Sequence, residues 1–407
     1  MNKITKRILL SAFDCEPGQG SEKGNGWNWA IGLANKGYEV HCLTRSVNRP
    51  AIEQHVRIEN LYFHYIPMPL RMEVLFLLTP SSIYLHYMIW QYLAYRKGKF
   101  LHKKMRFALV HHVSWGSTQM GSHLYKLDVP FIFGPAGGGQ KAPEAFKSYF
   151  SEHWDAEIKR EKVSDWLIRY NPACNKMLKN AHVVLSSNPD TFAMAKKAGA
   201  TTCQFSLDAA LPESFFPKEF KVKKTEPGKL KLLWVGRFMP RKGLLLTLDV
   251  MRELKSIPGI TLTIVGHGEM EDTIIKQIDA HDLGGTVKMA GMVPYEKVRH
   301  FYETHDAFFF TSLRDSCPSQ VLEAMSFGMP VITLDLHGQA LLVNDQRGIR
   351  CKVSSPENAI QDLKNALIEL CRHPAKVTQM SEEAMKFALQ QTWPAKIEAI
   401  VEQYYPG

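Results

Sequence analysis

Short apolar runs recur along the chain and alternate with longer segments whose apolar residues follow a helical spacing. Runs of four to eight apolar and β-branched residues bounded by turn residues are typical of buried strands. The first half contains six predicted strands, at residues 7–13, 39–44, 61–66, 107–113, 130–134 and 181–187. The second half contains five more, at residues 231–236, 261–266, 287–291, 307–312 and 330–335.

The strand pattern stops at residues 216–229, which are polar, rich in lysine and contain two prolines, and it restarts afterwards. We interpret this segment as a linker between an N-terminal domain, residues 1–215, and a C-terminal domain, residues 230–390. A last helix, at about residues 390–405, is expected to pack back on the first domain. Alternating strands and helices predict parallel sheets covered by helices, so the fold class is α/β. Two Rossmann-like domains facing across a cleft are favoured over one large open sheet.

The chain has 407 residues, a net charge of +10 and a pI near 9.1, which suits anionic partners such as nucleotides or a membrane surface. Nothing in it resembles a nucleic-acid-binding module, so no nucleic-acid partner is expected. Seven scattered cysteines without a C-x-x-C pair indicate a reducing, cytoplasmic environment and no structural zinc site. The apolar run after the basic N-terminus is too short for a signal peptide, and no 18-residue apolar stretch predicts a spanning helix.

Two cations follow the first strand of the second half, Arg237 directly and Lys242 before the next helix. A planar guanidinium and a point charge separated by a loop suit a diphosphate, although surface charges often have no ligand. Gly266 and Gly268 follow the next strand, where they would allow a ligand near the backbone or only bend the chain. Val293, after a third strand, is a candidate to contact a nucleotide base, with a plain loop as the alternative.

Two carboxylates lie in the stretch "SLRDSCPSQVLEAMSFGMPVI", residues 312–332. The predicted helix begins near Pro318 and ends at Phe327, so Asp315 precedes it and Glu323 lies within it. Asp315 would otherwise serve as a helix cap. Glu323 has apolar neighbours, where a carboxylate is better explained if it accepts hydrogen bonds from hydroxyls. Amides at the start of this helix would face a phosphate.

These motifs, in this order and spacing, resemble the retaining nucleotide-sugar glycosyltransferases of family 4, which have the GT-B fold. The resemblance covers the C-terminal domain. It implies that Glu323 holds the ribose hydroxyls and that Asp315 contacts the transferred sugar and faces charge developing at its anomeric carbon. It also implies that Arg237 and Lys242 neutralise the diphosphate. The phosphate site would be completed by the backbone amides of Ser319, Gln320 and Val321.

The sequence departs from the family pattern at two places. Asp315 stands where the family has glutamate, and Ser316-Cys317-Pro318 replaces Gly-Phe-Gly, with a proline that cannot donate an N–H. No Asp-x-Asp motif is present, so we expect a metal-independent hexosyltransferase without a cofactor, using a nucleotide-diphosphate sugar as co-substrate. Its acceptor would be a glycan or lipid-linked glycan of surface polysaccharide or glycolipid synthesis. The alternative is a non-catalytic GT-B binding or partner subunit. A dehydrogenase is disfavoured because no G-x-G-x-x-G follows the first strand.

The first half is expected to hold the acceptor. By the resemblance, Gly20 and Ser21 stand where a family loop contacts the donor diphosphate, with Gly24 and Gly26 as alternatives. Adjacent histidines end a strand; the resemblance favours one beside the transferred sugar, with His112 preferred to His111. A glycine run after the next strand is expected on the acceptor side or as a tight turn, and comprises Gly137, Gly138 and Gly139.

Residues 74–127 contain no aspartate or glutamate. An apolar and aromatic stretch is followed there by a basic cluster, which favours an interfacial surface on an anionic membrane, at the inner face of the plasma membrane, over a buried helix with a solvated turn. The cluster comprises Arg96, Lys97, Lys99, Lys103, Lys104 and Arg106.

Overall fold

The structure is a computed structural model and describes residues 6–55, 57–79 and 82–407. The first five residues of the basic N-terminus lie outside the described residues, as do Pro80 and Ser81 of the acid-free stretch. The chain forms two compact units. Unit 1 comprises residues 1–139, 161–209 and 393–407, and unit 2 comprises residues 140–160 and 210–392.

Among its described residues, unit 1 is built on a seven-stranded parallel sheet with the order β3-β2-β1-β4-β5-β6-β7. The strands are β1 (Arg7–Ala12), β2 (Glu39–Arg45), β3 (Leu61–Ile66), β4 (Leu109–Ser114), β5 (Phe131–Ala136), β6 (Val183–Ser186) and β7 (Cys203–Phe205). The helices are α1 (Ser21–Asn35), α2 (Arg49–Glu53), α3 (Leu75–Leu78), α4 (Ser82–Met105), α5 (Trp154–Tyr170, which begins in unit 2), α6 (Pro172–Asn180), α7 (Pro189–Lys197) and, at the end of the chain, α15 (Trp393–Tyr404).

Unit 2 repeats this plan with a six-stranded parallel sheet in its described residues, in the order β10-β9-β8-β11-β12-β13. The strands are β8 (Leu230–Val235), β9 (Ile260–Val265), β10 (Val287–Gly291), β11 (Ala307–Phe310), β12 (Val331–Leu334) and β13 (Gly348–Cys351). The helices are α8 (Leu244–Leu254), α9 (Glu271–Ala280), α10 (Tyr295–Thr304), α11 (Ser319–Met325), α12 (His337–Leu342), α13 (Pro356–Arg372) and α14 (Pro374–Leu389).

Local sequence explains where several helices begin. The Asn188 side chain accepts from the amide of Thr191 at 2.8 Å and caps α7, whose first residue is Pro189. Ser355 caps α13 in the same way through the amide of Asn358. The central strands are buried on both faces because helices cover both sides of each sheet, so they are almost continuously apolar. Two Rossmann-like α/β domains therefore follow from the strand and helix pattern.

The two strands that the sequence pattern missed, β7 and β13, are sheet edges. Their sequences, Cys-Gln-Phe and Gly-Ile-Arg-Cys, contain polar residues because an edge strand is only partly covered. Helix α11 ends at Met325, two residues earlier than predicted, and Gly328 follows with a φ of 68°. The turn that ends this helix therefore uses the glycine in a left-handed conformation.

Residues 216–229, which we interpreted as a linker, are grouped with unit 2. Lys223 is buried in this segment, and its backbone amide donates to the Ser381 hydroxyl at 2.9 Å. Its ammonium donates to the carbonyls of Tyr302 and Glu303, at 2.7 and 2.8 Å. Burial lowers the pKa of Lys223 to about 8. Lys223 thus attaches the segment to the body of unit 2, whereas most of the other residues in it are exposed.

Helix α15 belongs to unit 1, although it follows the whole of unit 2 in sequence. It packs closely on α1, because a Cβ added at Gly32 would lie 2.1 Å from the Ile397 side chain. Lys36 pairs with Glu398 across the same contact at 2.5 Å, and the Tyr405 hydroxyl is 2.6 Å from His111. Residues 393–407 are therefore part of the first domain's packing.

Candidate active site

The strand order of each sheet reverses once, next to its first strand. In unit 2 this happens between β8 and β11, and in unit 1 between β1 and β4. The loops that leave two such strands diverge and open a crevice at their carboxyl ends, which is where ligands bind in open α/β sheets. We call these two places the unit 2 switch point and the unit 1 switch point.

The unit 2 switch point brings Lys242 and Asp315 together, as the loop after β8 carries the lysine and the loop after β11 the aspartate. The Lys242 ammonium donates to Asp315 Oδ2 and lies 5.3 Å from the Phe310 ring centre. The two side chains are 7% and 14% exposed, so the pair is largely shielded from water. Burial lowers the pKa of Lys242, against the opposing charge of Asp315. Burial alone would raise the pKa of Asp315, but Lys242 and Arg241 outweigh it and keep the carboxylate ionised.

Further cations surround this pair. Arg241 Nη1 lies 3.7 Å from Asp315 Oδ2 and donates to the carbonyl of Arg314 at 3.2 Å. Arg237 is exposed just after β8. Arg314 is paired with Glu157 at 2.6 Å, and burial lowers its pKa to about 10. Asp315 thus lies close to two cations, Lys242 and Arg241, and Arg314 is a third one nearby. The single carboxylate does not neutralise them all, so the site has positive charge that can attract an anion. Arg241 was missed by the sequence motif, since it lies between the two expected cations.

Glu323 is buried on α11, and its Oε2 accepts a hydrogen bond from the Tyr302 hydroxyl at 2.9 Å. Tyr302 is fully buried on α10 and stacks on Phe327 with ring centres 5.7 Å apart. The expectation of a hydroxyl for this carboxylate is therefore met from within the protein. Tyr302 had no signal in the sequence, because its partner is 21 residues away on another helix.

The glycines after β9 approach the protein's own backbone. A Cβ added at Gly266, whose φ is 145°, would lie 1.9 Å from the Gly236 carbonyl oxygen. At Gly268 it would lie 2.4 Å from the carbonyl oxygen of Phe238. These glycines therefore hold the loop after β9 against the loop that carries Arg237. Val293 lies in the turn between β10 and α10, partly exposed beside the exposed Met292.

Helix α11 has only seven residues, and its start offers fewer amides than the resemblance implies. The amide of Val321 donates to the Pro318 carbonyl at 3.1 Å, so this N–H is already used inside the helix. Pro318 is the residue before the helix, with an extended backbone. Among the described residues, the amides of Ser319 and Gln320 make no such bond within the helix, and a phosphate contact of Ser319, Gln320 and Val321 stays a prediction.

In unit 1, His111 and His112 are both fully buried at the end of β4. His111 Nε2 lies 2.7 Å from the Gly134 carbonyl oxygen, so it must carry the proton, and Nδ1 accepts from the Tyr405 hydroxyl at 2.6 Å. Burial lowers the pKa of His111 to about 3 and that of His112 to about 4, so both are neutral near pH 7. In this structure neither imidazole is exposed to a ligand.

His112 is linked to the loop after its strand through Tyr87. The Tyr87 hydroxyl donates to the carbonyl of Trp115 at 2.8 Å, so it accepts from His112 Nε2 at 3.1 Å. His112 Nδ1 then accepts from the Ser11 hydroxyl at 3.0 Å. His112, which we expected beside the transferred sugar, is therefore connected to Trp115 through the Tyr87 hydroxyl. The sequence motifs did not single out Trp115.

The glycine-rich loop after β1 contains open and packed glycines. Gly20 precedes α1 and faces open space, and Ser21 is the first residue of that helix. A Cβ at Gly24 would meet the Gln19 carbonyl oxygen at 2.0 Å, and one at Gly26 would meet that of Asp14 at 2.1 Å. The two alternatives are thus needed for packing, and Gly20 is the position that leaves room for a ligand.

The glycine run after β5 packs against the loop after β4. Gly138 and Gly139 have φ angles of 130° and 78°, and a Cβ at Gly138 would lie 2.7 Å from the Gln119 side chain. Gly137 pairs with Ser117, and its amide donates to the carbonyl of Gly116 at 2.9 Å. The run therefore supports the loop after β4, where Trp115 lies.

The unit 1 switch point gathers acidic side chains around Trp115. The indole Nε1–H donates to Asp14 Oδ2 at 2.6 Å, and the Trp115 amide donates to Glu22 Oε2 at 2.7 Å. Asp14 is also paired with Arg45. Burial raises the pKa of Glu22 to about 7, and Asp208 and Asp14 add to the rise. No spacing in the sequence signals this group, because only the sheet order brings residues 14, 22, 45 and 115 together.

None of the described helices is long and apolar enough to cross a membrane. Within the described ranges, no group of three or more His, Cys, Asp or Glu side chains is arranged to hold a metal ion.

The sequence of unit 2 matches a known family. Residues 215–387 match the family described as glycosyl transferases group 1. A curated relative is the amylovoran biosynthesis glycosyltransferase AmsK of Erwinia amylovora, 29% identical over 173 residues. That alignment covers 40% of this chain and 41% of the relative, so the chain matches about two fifths of the relative's length.

Solved structures resemble the whole chain. The sucrose-phosphate synthase of Thermosynechococcus elongatus superposes with a TM-score of 0.69 at 17% identity, covering 98% of both chains. The Anabaena protein HepE in complex with UDP gives a TM-score of 0.65 at 15% identity, covering 98% of this chain and 99% of its own. The predicted GT-B fold, with two parallel-sheet Rossmann-like domains, is confirmed by these neighbours.

Proposed function

We propose that the protein is a metal-independent, retaining glycosyltransferase of family 4. It moves a hexose from a nucleotide-diphosphate sugar to a glycan or lipid-linked glycan at the cytoplasmic face of the membrane. The observation that carries the proposal is the buried Lys242–Asp315 pair beside Arg241, at the unit 2 switch point. This unit is the one that matches the group 1 glycosyltransferases.

In the proposed reaction the bond between the anomeric carbon and the diphosphate oxygen breaks, and the diphosphate leaves with the electron pair. An acceptor hydroxyl attacks from the same face, and its proton passes to the leaving phosphate oxygen. Lys242, Arg241 and the exposed Arg237 stabilise the charge that grows on the diphosphate. Asp315, held ionised by these cations, faces the positive charge on the anomeric carbon. In this proposal the cations act without a metal ion.

Glu323 is proposed to hold the ribose hydroxyls of the donor. The Tyr302 hydroxyl supports this role, since it donates to one carboxylate oxygen and fixes its position. UDP is the first nucleotide to test, because HepE, which shares the fold, binds it. Synthesis of a surface polysaccharide is the first pathway to test, because the AmsK name refers to amylovoran biosynthesis.

Thermal unfolding with UDP, GDP, ADP, dTDP and CMP, each with and without Mg²⁺, tests the donor site. We expect one nucleoside diphosphate to raise Tm without metal, and the shift to be lost in Glu323→Gln. Glu369→Gln is the matched control, since that glutamate lies on the outer helix α13 and pairs with Lys376. A shift that needs Mg²⁺ would contradict metal independence, and a full shift in Glu323→Gln would contradict the ribose role.

A non-catalytic binding subunit is the second candidate. It is favoured by Asp315, which already neutralises Lys242, and by Pro318 at the start of α11. Incubation with the donor of the nucleotide that binds separates the two candidates. Release of the nucleoside diphosphate on addition of a glycan extract supports the enzyme. Binding without any release in that extract supports the subunit.

Helix α4 supports the proposed membrane surface. Its exposed side chains are apolar in the first half, with Tyr84, Leu85, Met88 and Tyr92 between 42% and 52% exposed. In the second half the exposed side chains are basic and flank Phe100, which is 51% exposed, with the Lys104 ammonium 4.3 Å from its ring centre. A helix with exposed apolar side chains followed by exposed cations suits the interface of an anionic bilayer. The exposed cations are Arg96, Lys97, Lys99, Lys103, Lys104 and Arg106.

Flotation with vesicles of phosphatidylglycerol and phosphatidylcholine tests this surface. The triple variant Lys103→Gln, Lys104→Gln, Arg106→Gln should bind phosphatidylglycerol vesicles at least about tenfold more weakly, since each cation near such a surface contributes about 1 kcal/mol. The control is Lys218→Gln, Lys221→Gln, Lys224→Gln, which removes the same charge from exposed lysines of unit 2. Equal losses of vesicle binding in the two triple variants would show that only net charge matters. Such a result would contradict a membrane contact of α4.

A further inference from the structure

Trp115 has an unusual backbone for a bulky residue. It follows β4 at the unit 1 switch point with a φ of 56°, in the left-handed region that side chains other than glycine rarely adopt. The pairing of β1 with β4 shifts register at Ser11 and Ala12, directly before this point. Such a conformation costs about 1–3 kcal/mol and persists only where the surroundings impose it, often at a ligand site.

Three hydrogen bonds with three separate parts of unit 1 hold Trp115 in this left-handed conformation. The backbone amide donates to Glu22 of α1 at 2.7 Å, and the carbonyl accepts from Tyr87 of α4 at 2.8 Å. The indole N–H donates to Asp14, after β1, at 2.6 Å. Amide, carbonyl and side chain are all held, so the ring has a single orientation in the fold. This rigidity is expected of a group that must meet a ligand in one geometry.

The indole ring is supported from within the domain but is not buried. It packs on Phe13 and Tyr87 with ring centres 4.7 and 5.4 Å apart, and it remains partly exposed. Asp14, which holds the indole, is itself fixed by Arg45, and the Arg45 guanidinium lies 4.5 Å from the Phe13 ring centre. The indole thus has its polar edge fixed by an ion-paired carboxylate and part of its surface open to a ligand.

Glu22, which binds the backbone amide of Trp115, is partly exposed. Its Oε2 accepts from the Trp115 amide, and Oε1 has no hydrogen-bond partner among the residues that the structure describes. The pKa of Glu22, near 7, reflects its poorly solvated position. A hydroxyl suits such a carboxyl group, because it donates to the ionised form and accepts from the protonated form.

We propose that Trp115 is the stacking platform for a sugar ring of the acceptor, and that Glu22 binds a hydroxyl of the same sugar. The C–H groups on one face of a pyranose are weakly positive and pack on the negative face of an aromatic ring, while hydroxyls at the edge seek polar partners. The unit 1 switch point offers both groups in a fixed arrangement. The inference rests on the proposed function, since a glycan acceptor requires a sugar site in this unit.

The test uses full-length protein labelled with 5-fluorotryptophan and observed by ¹⁹F NMR. Trp115→Phe identifies the Trp115 signal. Titration with methyl α-D-glucopyranoside, methyl α-D-mannopyranoside and methyl β-D-galactopyranoside should move that signal saturably with at least one of them. Trp115→Ala should weaken binding of that glycoside about tenfold, and Trp115→Phe, which keeps a ring, by less. Trp166→Ala is the matched control, because Trp166 is 60% exposed in the same unit.

A Trp115 signal that none of the three glycosides moves overturns the proposal. So does glycoside binding that survives Trp115→Ala, or a cooperative loss of folding in Trp115→Phe, which would make the residue structural. Thermal shift with nucleoside diphosphates is recorded on the same samples and should be unchanged in both variants. If no nucleoside diphosphate binds to the wild type, the result instead contradicts the proposed function. The two failures are therefore distinguishable.

Discussion

The two switch points occupy the same place in two similar sheets but carry different chemistry. Each has an aspartate held by a cation, Asp14 with Arg45 in unit 1 and Asp315 with Lys242 in unit 2. In unit 2, further cations surround the pair. In unit 1, Arg45 lies against the aromatic rings of Phe13 and Phe76 and is shared with a second carboxylate, Glu73, at 3.5 Å.

The difference indicates how one backbone plan can carry two crevices of different chemistry. Excess positive charge in a poorly solvated crevice suits a diphosphate, whereas a crevice with carboxylates and a partly exposed indole suits an uncharged molecule with both C–H and hydroxyl groups. Strand order supplies the crevice in both units, and the side chains after four strand ends decide what it binds. The following predictions test this contrast, beginning with the largest expected effect.

Asp315→Asn should lower the free energy of unfolding by about 3–5 kcal/mol, because it leaves Lys242 buried with its partner's charge removed. Asp14→Asn should lose less, since Arg45 keeps Glu73. Urea unfolding measures both. The pKa of Asp315 is lowered in the folded state, so its contribution is present above the ordinary aspartate pKa, near 3.9, and is lost as the pH falls through the lower folded value. The gap between wild type and Asp315→Asn should therefore narrow below about pH 4. A gap that stays constant down to pH 3 would contradict the ion-pair origin.

Lys242→Met should lower turnover of the donor at least about tenfold, because it removes one group that stabilises charge on the leaving diphosphate. The assay measures nucleoside diphosphate released from the donor chosen by the nucleotide screen. Lys255→Met is the control, since Lys255 is a partly exposed lysine of the same unit that pairs with Asp282. Near-normal turnover in a folded Lys242→Met would remove this lysine from the reaction.

Tyr302→Phe should raise the Kd of the nucleoside diphosphate about fivefold, in line with about 1 kcal/mol for one hydrogen bond. It should leave the Kd of inorganic pyrophosphate unchanged, because the hydroxyl binds Glu323, whose proposed ligand is the ribose and not the phosphates. Isothermal titration calorimetry measures both. Tyr149→Phe, which removes a hydroxyl bonded to Asp249 at 2.8 Å in the same unit, is the control. Equal losses for the two ligands would indicate a general structural effect.

Glu22→Gln should give the smallest effect, about 1 kcal/mol or less, because solvent screens a partly exposed carboxylate. Between the ordinary glutamate pKa, near 4.3, and about 7, the folded protein binds a proton that the unfolded chain does not. Wild-type stability should therefore fall as the pH rises through this window. The Tm of Glu22→Gln relative to wild type should increase from pH 5 to pH 8. A flat difference would show that Glu22 titrates at its ordinary value.

The fold was largely predictable because buried parallel strands have a strong signature. The apolar runs located eleven strands of the two sheets, and the strand–helix alternation gave the fold class. The edge strands β7 and β13 were missed since half-covered strands lack that signature. The exchange of residues 140–160 and 393–407 between the units also has no local signal, because it depends on packing between segments far apart in the sequence.

The candidate site was predictable where its residues lie close to motif positions. The proximity of Lys242 and Asp315 follows from loops that leave neighbouring strands, whereas Tyr302 and Trp115 depend on contacts between elements distant in sequence. At two glycines the sequence carries a motif, but packing within the protein accounts for it. Gly266 and Gly138 look like ligand-binding positions in the sequence, but their missing side chains make room for the protein's own carbonyl and amide groups.

Helix α15 has a consequence for protein engineering. A chimera that exchanges the C-terminal half at one crossover near residue 216 would also replace the helix that packs on α1 and the Tyr405 hydroxyl that His111 accepts from. Donor specificity should be transplanted instead by a cassette that carries residues 140–160 and 210–392 and leaves residues 393–407 with their native partner. The part of the chain to exchange in this protein thus consists of two separate segments, whose ends create four junctions with the first domain.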